Sequence, residues 1–459
     1  MSFLPNWGAR NTVHAYHSKN TVKLPIKTDA PNEESTSIIP FAEFIRQNVP
    51  ELKQDYKYWL KPWLFNGTLQ SLYVSKADFS QVYKVYYGRE IMTITDEISK
   101  EYINLKMGEI TADYVINPLE TSKAEFQAKY QETLPEGYPK LHPRTRYLTE
   151  SEQSTVFKEW SDNDKPIVII QHGLAGGSHE PAIRAVAQSL FEGAANVVVL
   201  NSRGCCRSRI TTPVLYTGLH TDELRYFVRR LHKKFPNKQI HLAGFSFGGL
   251  VIANYLAEEG DKSIITSAIT CSSPWNLADS TFAITKSLSG KYLFEPALRF
   301  FLMNMIKVNL ETLKQDPEFD VEDYYRFKKE IKSTIEFDNK YSCKLAGFPT
   351  ATTYHLAASP VMRMMKIKTP TLIINAKDDP MVSTDYPYLE VEANPYLYMA
   401  TSDLGGHYAF INPKGEFWFS DVIKKFVDSF NTQIDKDKNV DDGGYNVYQT
   451  QFKEKIELY

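Results

Sequence analysis

Leu242-Ala243-Gly244-Phe245-Ser246-Phe247-Gly248-Gly249 place a serine between two glycines, at the point where an apolar run gives way to a helix-forming segment. A serine in that G-x-S-x-G setting can serve as a nucleophile. The chain must turn sharply from strand to helix with Ser246 strained at the bend, and Gly244 and Gly248 remove side chains that would collide there. The turn exposes the hydroxyl. It also brings the first helical N–H groups, beginning with that of Phe247, to the place where an oxyanion would form. Two glycines around a serine also arise by chance, so the reading depends on partners elsewhere in the chain.

A nucleophilic serine needs a base to take its proton and a carboxylate to hold that base in the right tautomer. After an elbow of this kind the acid follows in the chain, and then the histidine. Only His355 and His407 lie beyond Ser246. His407 ends Asp403-Leu404-Gly405-Gly406-His407, where a glycine pair can bend a loop back over a sheet, whereas His355 falls in a helical insertion; chain order favours His407. For the acid, Ile373-Ile374-Asn375-Ala376-Lys377-Asp378-Asp379-Pro380-Met381-Val382 is a strand ending in two carboxylates, only one of which can face His407. Asp379 is favoured over Asp378, and the carboxylate not used can bond its own turn. A second oxyanion donor is expected in Gln171-His172-Gly173-Leu174-Ala175-Gly176-Gly177-Ser178. Its small residues let backbone N–H groups approach a substrate oxygen, and the N–H of Leu174 pairs with that of Phe247. No Gly-Lys-Ser/Thr follows, which argues against a phosphate loop, and His172 reads as a structural residue.

These residues require a scaffold. Ile167–Ile170, Asn196–Leu200 and Gln239–Ala243 read as buried strands separated by helical stretches at 180–192, 221–234 and 247–259, the alternation of βαβ units on a parallel sheet. Later strands are expected at 264–269 and 371–374. The gap between them is too long for an ordinary crossover. It holds Phe294-Glu295-Pro296-Ala297-Leu298-Arg299-Phe300-Phe301-Leu302-Met303-Asn304-Met305-Ile306, a helix whose apolar side chains can serve a core or line an adaptable pocket. Short antiparallel strands are expected between 82 and 116, and an insertion over 118–162. The resulting organisation is an N-terminal extension (1–80) containing a loop at 29–35, a first core part (81–274), a helical cap (275–360), a second core part (361–430) and a polar, loosely packed tail (431–459).

The 459 residues suffice for an ample core. A formal net charge of −2 leaves no electrostatic footprint for nucleic acid. The four cysteines show no metal-ligand spacing, and Cys205-Cys206 is poorly placed for mutual bridging, so a reducing, intracellular setting is expected. The opening residues 1–7 lack a basic stretch followed by an apolar run, and no run of about 18 apolar residues occurs. A side-chain base activates the serine, so no cofactor and no metal is called for.

With elbow, acid, histidine and His-Gly loop in order, the chain resembles the α/β-hydrolase superfamily and, within it, the branch of the bacterial YheT-type esterases. Gln171-His172-Gly173-Leu174-Ala175-Gly176-Gly177-Ser178, Asn201-Ser202-Arg203-Gly204-Cys205, Asn375-Ala376-Lys377-Asp378-Asp379-Pro380 and Asp403-Leu404-Gly405-Gly406-His407 carry that likeness. More narrowly, Tyr87-Gly88-Arg89-Glu90-Ile91, Pro143-Arg144-Thr145-Arg146-Tyr147-Leu148, Ser178-His179-Glu180-Pro181 and the stretch from Ala253 to Ser263 resemble the yeast medium-chain fatty acid ethyl ester synthase/esterases, over residues 40 to 430 or so. The resemblance implies a mostly parallel sheet flanked by helices, with a cap. It also implies an alcohol O-acyltransferase that moves a medium-chain acyl group from acyl-CoA or an ester to ethanol, or to water as an esterase. A carboxylesterase or monoacylglycerol lipase is the alternative reading, and a non-catalytic binding protein a remote one. A cytoplasmic location with contact at lipid droplets or the outer mitochondrial surface is likewise implied. Thr95-Asp96-Glu97-Ile98 departs from the Asp-Gly-Gly turn common in such proteins.

Overall fold

A computed structural model of the protein describes residues 10–27, 37–116, 123–193 and 195–446. The expected loop at 29–35, the opening residues 1–7, positions 118–122 and the tail beyond 446 lie outside the described residues.

Each buried run becomes a strand covered on both faces. In Ile167–Gln171, Val168 and Ile170 enter one core with Ile183 and Val186 of the helix Pro181–Phe191 and Phe426 of Trp418–Gln433. Ile167 and Ile169 enter the other with Phe227 and Leu231 of Thr221–Lys234 and Ile252 of Phe247–Glu259. This two-sided cover is why the strand reads as an unbroken apolar run rather than an alternating one. Each such fully buried side chain is worth about 1.5–3 kcal/mol.

Among the described residues, eleven strands form one sheet, in the order Lys57–Trp59, Arg10–His17, Leu397–Ser402, Thr371–Ala376, Ser267–Cys271, Ile240–Phe245, Ile167–Gln171, Asn196–Asn201, Gly108–Ile116, Tyr86–Ile94, Thr145–Tyr147. The run from Leu397–Ser402 to Asn196–Asn201 is parallel throughout. Antiparallel strands flank it on both sides, Gly108–Ile116 with Tyr86–Ile94 at one edge and Arg10–His17 with Lys57–Trp59 at the other. The chain leaves Ile167–Gln171 for its neighbour Asn196–Asn201 and later returns to the opposite neighbour, Ile240–Phe245. That reversal of direction opens a crevice at the carboxyl ends of the central strands, where ligands bind in open α/β sheets.

Between Cys271 and Thr371 the chain is helical, with Leu277–Lys286, Glu295–Val308, Val321–Glu330 and Ala351–Ala358 as its main elements. The helix Glu295–Val308 serves two purposes. Leu302, Met303, Met305 and Ile306 pack on Phe247, Leu250 and Val251 of the elbow helix, while Phe300 and Phe301 on its other side are 66% and 51% exposed.

Several expectations are corrected. The strand expected at 264–269 runs Ser267–Cys271. Two strands beyond those expected, Leu397–Ser402 and Arg10–His17, pair antiparallel with each other. Within 123–162 lies more than an insertion: Thr145–Tyr147 extends the sheet, and Glu150–Ser161, opened by a Thr149/Glu152 capping box, buries Phe157 and Trp160. In place of a glycine turn, Thr95 caps the short helix Asp96–Ser99. The tail is packed as far as it is described: Ile434 is buried and pairs with Ile26, Asp441 pairs with Lys23, and the Tyr445 hydroxyl donates to the Met365 carbonyl.

Candidate active site

The four candidate segments leave the sheet at the carboxyl ends of neighbouring strands. Ser246 follows Ile240–Phe245, the 172–177 turn follows Ile167–Gln171, Asp379 follows Thr371–Ala376, and His407 follows Leu397–Ser402. Parallel register holds the first two beside each other, with Gly244 opposite Gln171.

At the elbow Ser246 has φ 50° and ψ −121°, a region an L-residue enters only at a cost of about 1–3 kcal/mol. Its N–H donates to the Cys271 carbonyl (2.9 Å), so strand pairing persists up to the bend, and the helix begins at Phe247. The flanking glycines are dictated by close approach. A Cβ on Gly244 would stand 2.7 Å from the Gly249 nitrogen, and one on Gly248 would stand 2.3 Å from the Gln171 carbonyl oxygen.

Ser246 Oγ lies 2.8 Å from His407 Nε2, and His407 Nδ1 lies 2.8 Å from Asp379 Oδ2. A carboxylate only accepts, so Nδ1 carries the proton and Nε2 is left to accept the serine hydroxyl proton. The Asp379 side chain is fully buried. Its other oxygen accepts the N–H groups of Met381 (2.8 Å) and Val382 (3.2 Å), fixing the carboxylate plane. It is Asp379, rather than its neighbour, that bonds its own turn, while also meeting His407. Asp378 reaches across instead to the N–H of Gly406 (2.9 Å), and burial pushes its carboxyl up to about 6. His355 lies away from this relay, its Nε2 2.7 Å from Asp338 Oδ2 in the helical segment.

Leu174 and Phe247 border the same cavity as Ser246 and His407. Among the described residues neither the Leu174 nor the Phe247 amide donates a hydrogen bond. The turn that presents Leu174 is shaped by Ala175, at φ 55°, whose N–H donates to the Tyr216 hydroxyl (2.9 Å). A Cβ on Gly173 would come within 3.5 Å of the Ser246 Cβ. His172 ties loops together: Nδ1–H donates to the Gly173 carbonyl (2.7 Å) and Nε2 accepts the Ser202 N–H (3.0 Å). Burial lowers its imidazole to about 4, so it stays neutral in that role.

A further residue of the site, marked by no motif, is Ser71. This buried residue of the helix Gly67–Lys76 accepts the backbone N–H of His407 (2.9 Å) and donates its own proton to the Gly67 carbonyl (2.8 Å). The helix is N-capped by Asn66 and sits so close that a Cβ on Gly67 would meet the Asp378 carbonyl at 2.0 Å. Nothing in a lone serine 336 residues before the histidine signals this. Above the elbow, a cavity of about 110 Å³ is walled chiefly by apolar side chains, among them Leu277, Ile284, Leu302, Met305, Phe337 and Met381. The geometry is that of a hydroxyl with a base in reach, at an apolar cavity that Leu174 and Phe247 also border: an arrangement suited to attack on an acyl carbonyl.

Residues 166–413 match the family described as the alpha/beta hydrolase fold. The chain is 38% identical to medium-chain fatty acid ethyl ester synthase/esterase 2 of Saccharomyces cerevisiae over 457 residues, covering 94% of this chain and 97% of that one. It is 33% identical to the monoacylglycerol lipase of the same yeast, covering 90% and 89%. To YheT of Escherichia coli it is 26% identical, covering 55% and 74%. Strand order, elbow and sequence likeness agree, and the chain belongs to the α/β-hydrolase fold family.

Proposed function

We propose that the protein is a serine acyltransferase and esterase that transfers a medium-chain acyl group from acyl-CoA or an ester to ethanol, with water as the competing acceptor. The observation that carries this reading is the continuous Ser246–His407–Asp379 relay at the floor of an apolar cavity. Ser246 Oγ attacks the acyl carbonyl carbon while its proton passes to His407 Nε2. The oxyanion meets the N–H groups of Leu174 and Phe247, donors each worth about 2.7–4 kcal/mol of barrier. Collapse expels the thiolate or alkoxide, which takes the proton from His407, and Ser246 is left acylated. An incoming ethanol or water then gives its proton to His407 and attacks the acyl carbon, releasing ester or acid and restoring Ser246.

The name borne by the first yeast relative supports alcohol as an acceptor, and the second relative, a monoacylglycerol lipase, supports hydrolysis. Partition turns on how well the cavity holds an alcohol against water. Octanoyl-CoA supplied with and without ethanol separates the two, by the yield of ethyl octanoate against free octanoate. Octanoate alone at every ethanol level leaves the hydrolase and removes the transferase. No described helix is long and apolar enough to cross a membrane. Peripheral contact with a lipid surface through Phe282, Leu288, Phe300 and Phe301, all exposed, accords with an apolar substrate.

A further inference from the structure

Three side chains that take no part in the Ser246 relay converge from separate stretches of chain. The ligand-capable atoms of His142, His179 and Cys206 all lie within 4.8 Å of one another. We propose that they form a transition-metal site of the zinc class, with two imidazole nitrogens and one thiolate as protein ligands and water in the fourth position.

The donor set and its spacing carry the proposal. Tetrahedral zinc, with bonds of about 2.1 Å to nitrogen and 2.3 Å to sulfur, holds N and S about 3.6 Å apart. His179 Nδ1 and Cys206 Sγ are 3.5 Å apart. The His142 ring stacks on that of His179, with centroids 3.8 Å apart and planes within 2°, which keeps a third ligand atom within 4.8 Å of the other two. Both imidazoles border surface grooves, which give a cation and its water a way in. Thiolate and imidazole suit zinc-class ions and disfavour magnesium and calcium.

The outer partners of the sulfur are already in place. Arg89 Nη2–H donates to Cys206 Sγ (3.3 Å), and Ser178 Oγ lies 3.5 Å from it. Asp113 neutralises Arg89 with two bonds of 2.6 and 2.7 Å, so the guanidinium orients the sulfur without adding net charge. Arg207 and Glu180, of opposite sign, also lie near the imidazoles, and Lys140 and Arg144 border the same groove. The site would clip the segment before Thr145–Tyr147, the turn before Pro181–Phe191 and the loop after Asn196–Asn201.

Tag-free full-length protein, stripped by chelator and desalted, tests this with Co²⁺ as the spectroscopic probe and Zn²⁺ as competitor. The expected result is a thiolate-to-cobalt charge-transfer band saturating at one equivalent and displaced by Zn²⁺, with a Zn²⁺-dependent rise in the thermal midpoint. Cys206→Ser abolishes the band, Cys205→Ser at the neighbouring buried thiol leaves it intact, and His142→Gln weakens binding by at least about tenfold, the low end of what losing an outer partner costs. If Cys206→Ser fails to fold by circular dichroism, His142→Gln carries the test. No band and no retained Zn²⁺ in the native chain, an unchanged band in the folded Cys206→Ser or unchanged affinity in His142→Gln, or uptake of Cu⁺ without Zn²⁺ each overturns the assignment.

Discussion

Exchange of Asp379 for Asn, set against the same exchange at Asp378, distinguishes two adjacent carboxylates by their geometry. In Asp379 one oxygen is claimed by the N–H groups of Met381 and Val382 and the other faces His407 Nδ1. Asn in this place must turn its carbonyl oxygen to the two N–H donors, which leaves its NH₂ pointing at Nδ1. That nitrogen then accepts, the ring proton moves to Nε2, and Nε2 can no longer take the proton of Ser246. A wrong tautomer with geometry otherwise intact costs about 10⁴ in kcat in serine-triad enzymes, or about 5 kcal/mol of barrier. Asp378→Asn keeps an acceptor for the Gly406 N–H, so its kcat should change by less than about tenfold, under about 1.4 kcal/mol. Its effect falls on stability. Burial, partly offset by the Gly406 hydrogen bond, raises the Asp378 carboxyl to about 6 in the folded chain. Its contribution is therefore fully present below about pH 4 and is lost as pH rises through about 6, by up to about 3 kcal/mol. Asp378→Asn should match or exceed the native chain in stability at pH 7, with the gap closing towards pH 4. Hydrolysis of p-nitrophenyl octanoate and urea unfolding at both pH values read these quantities. A 10⁴-fold loss in Asp378→Asn with Asp379→Asn near native refutes the assignment of the acid, and two near-native variants refute the relay.

Ser71→Ala leaves the buried His407 N–H without its acceptor, a loss of about 1–3 kcal/mol. Thermal unfolding should show it, together with a fall in kcat at little-changed KM, because the substrate cavity is untouched. Gly248→Ala forces a Cβ to within 2.3 Å of the Gln171 carbonyl oxygen, and urea unfolding should show a loss of about 1–3 kcal/mol or more along with loss of esterase turnover. Phe300→Ser combined with Phe301→Ser should reduce co-sedimentation with phospholipid vesicles while hydrolysis of a soluble short-chain ester stays unchanged; equal sedimentation would place lipid contact elsewhere.

Ile167–Ile170 and Asn196–Leu200 were legible as strands because a strand covered on both faces needs apolar residues at every position. The elbow was legible because close backbone approach at Gly244 and Gly248 admits only glycine. The glycine pair before His407 pointed the same way: Gly406 takes φ 60°, and a Cβ on Gly405 would strike Phe410. Arg10–His17 escaped notice because its polar residues are satisfied at a distance, Asn11 by the Tyr58 hydroxyl and the Leu404 carbonyl. Its pairing with Leu397–Ser402 joins segments far apart in the chain, which no local pattern encodes. Ser71 and the His142–His179–Cys206 group have the same character. Each is a contact between segments that only the folded sheet brings together.

In the proposed reaction Ser246 carries the acyl group between donor and acceptor. Rapid quenching of the native chain with octanoyl-CoA, followed by mass analysis of the peptide containing Ser246, tests this directly. The prediction is an octanoyl adduct on Ser246 that decays faster when ethanol is added, with ethyl octanoate appearing at the same rate. Continued turnover with no adduct on that peptide, or undiminished turnover in Ser246→Ala, would contradict it.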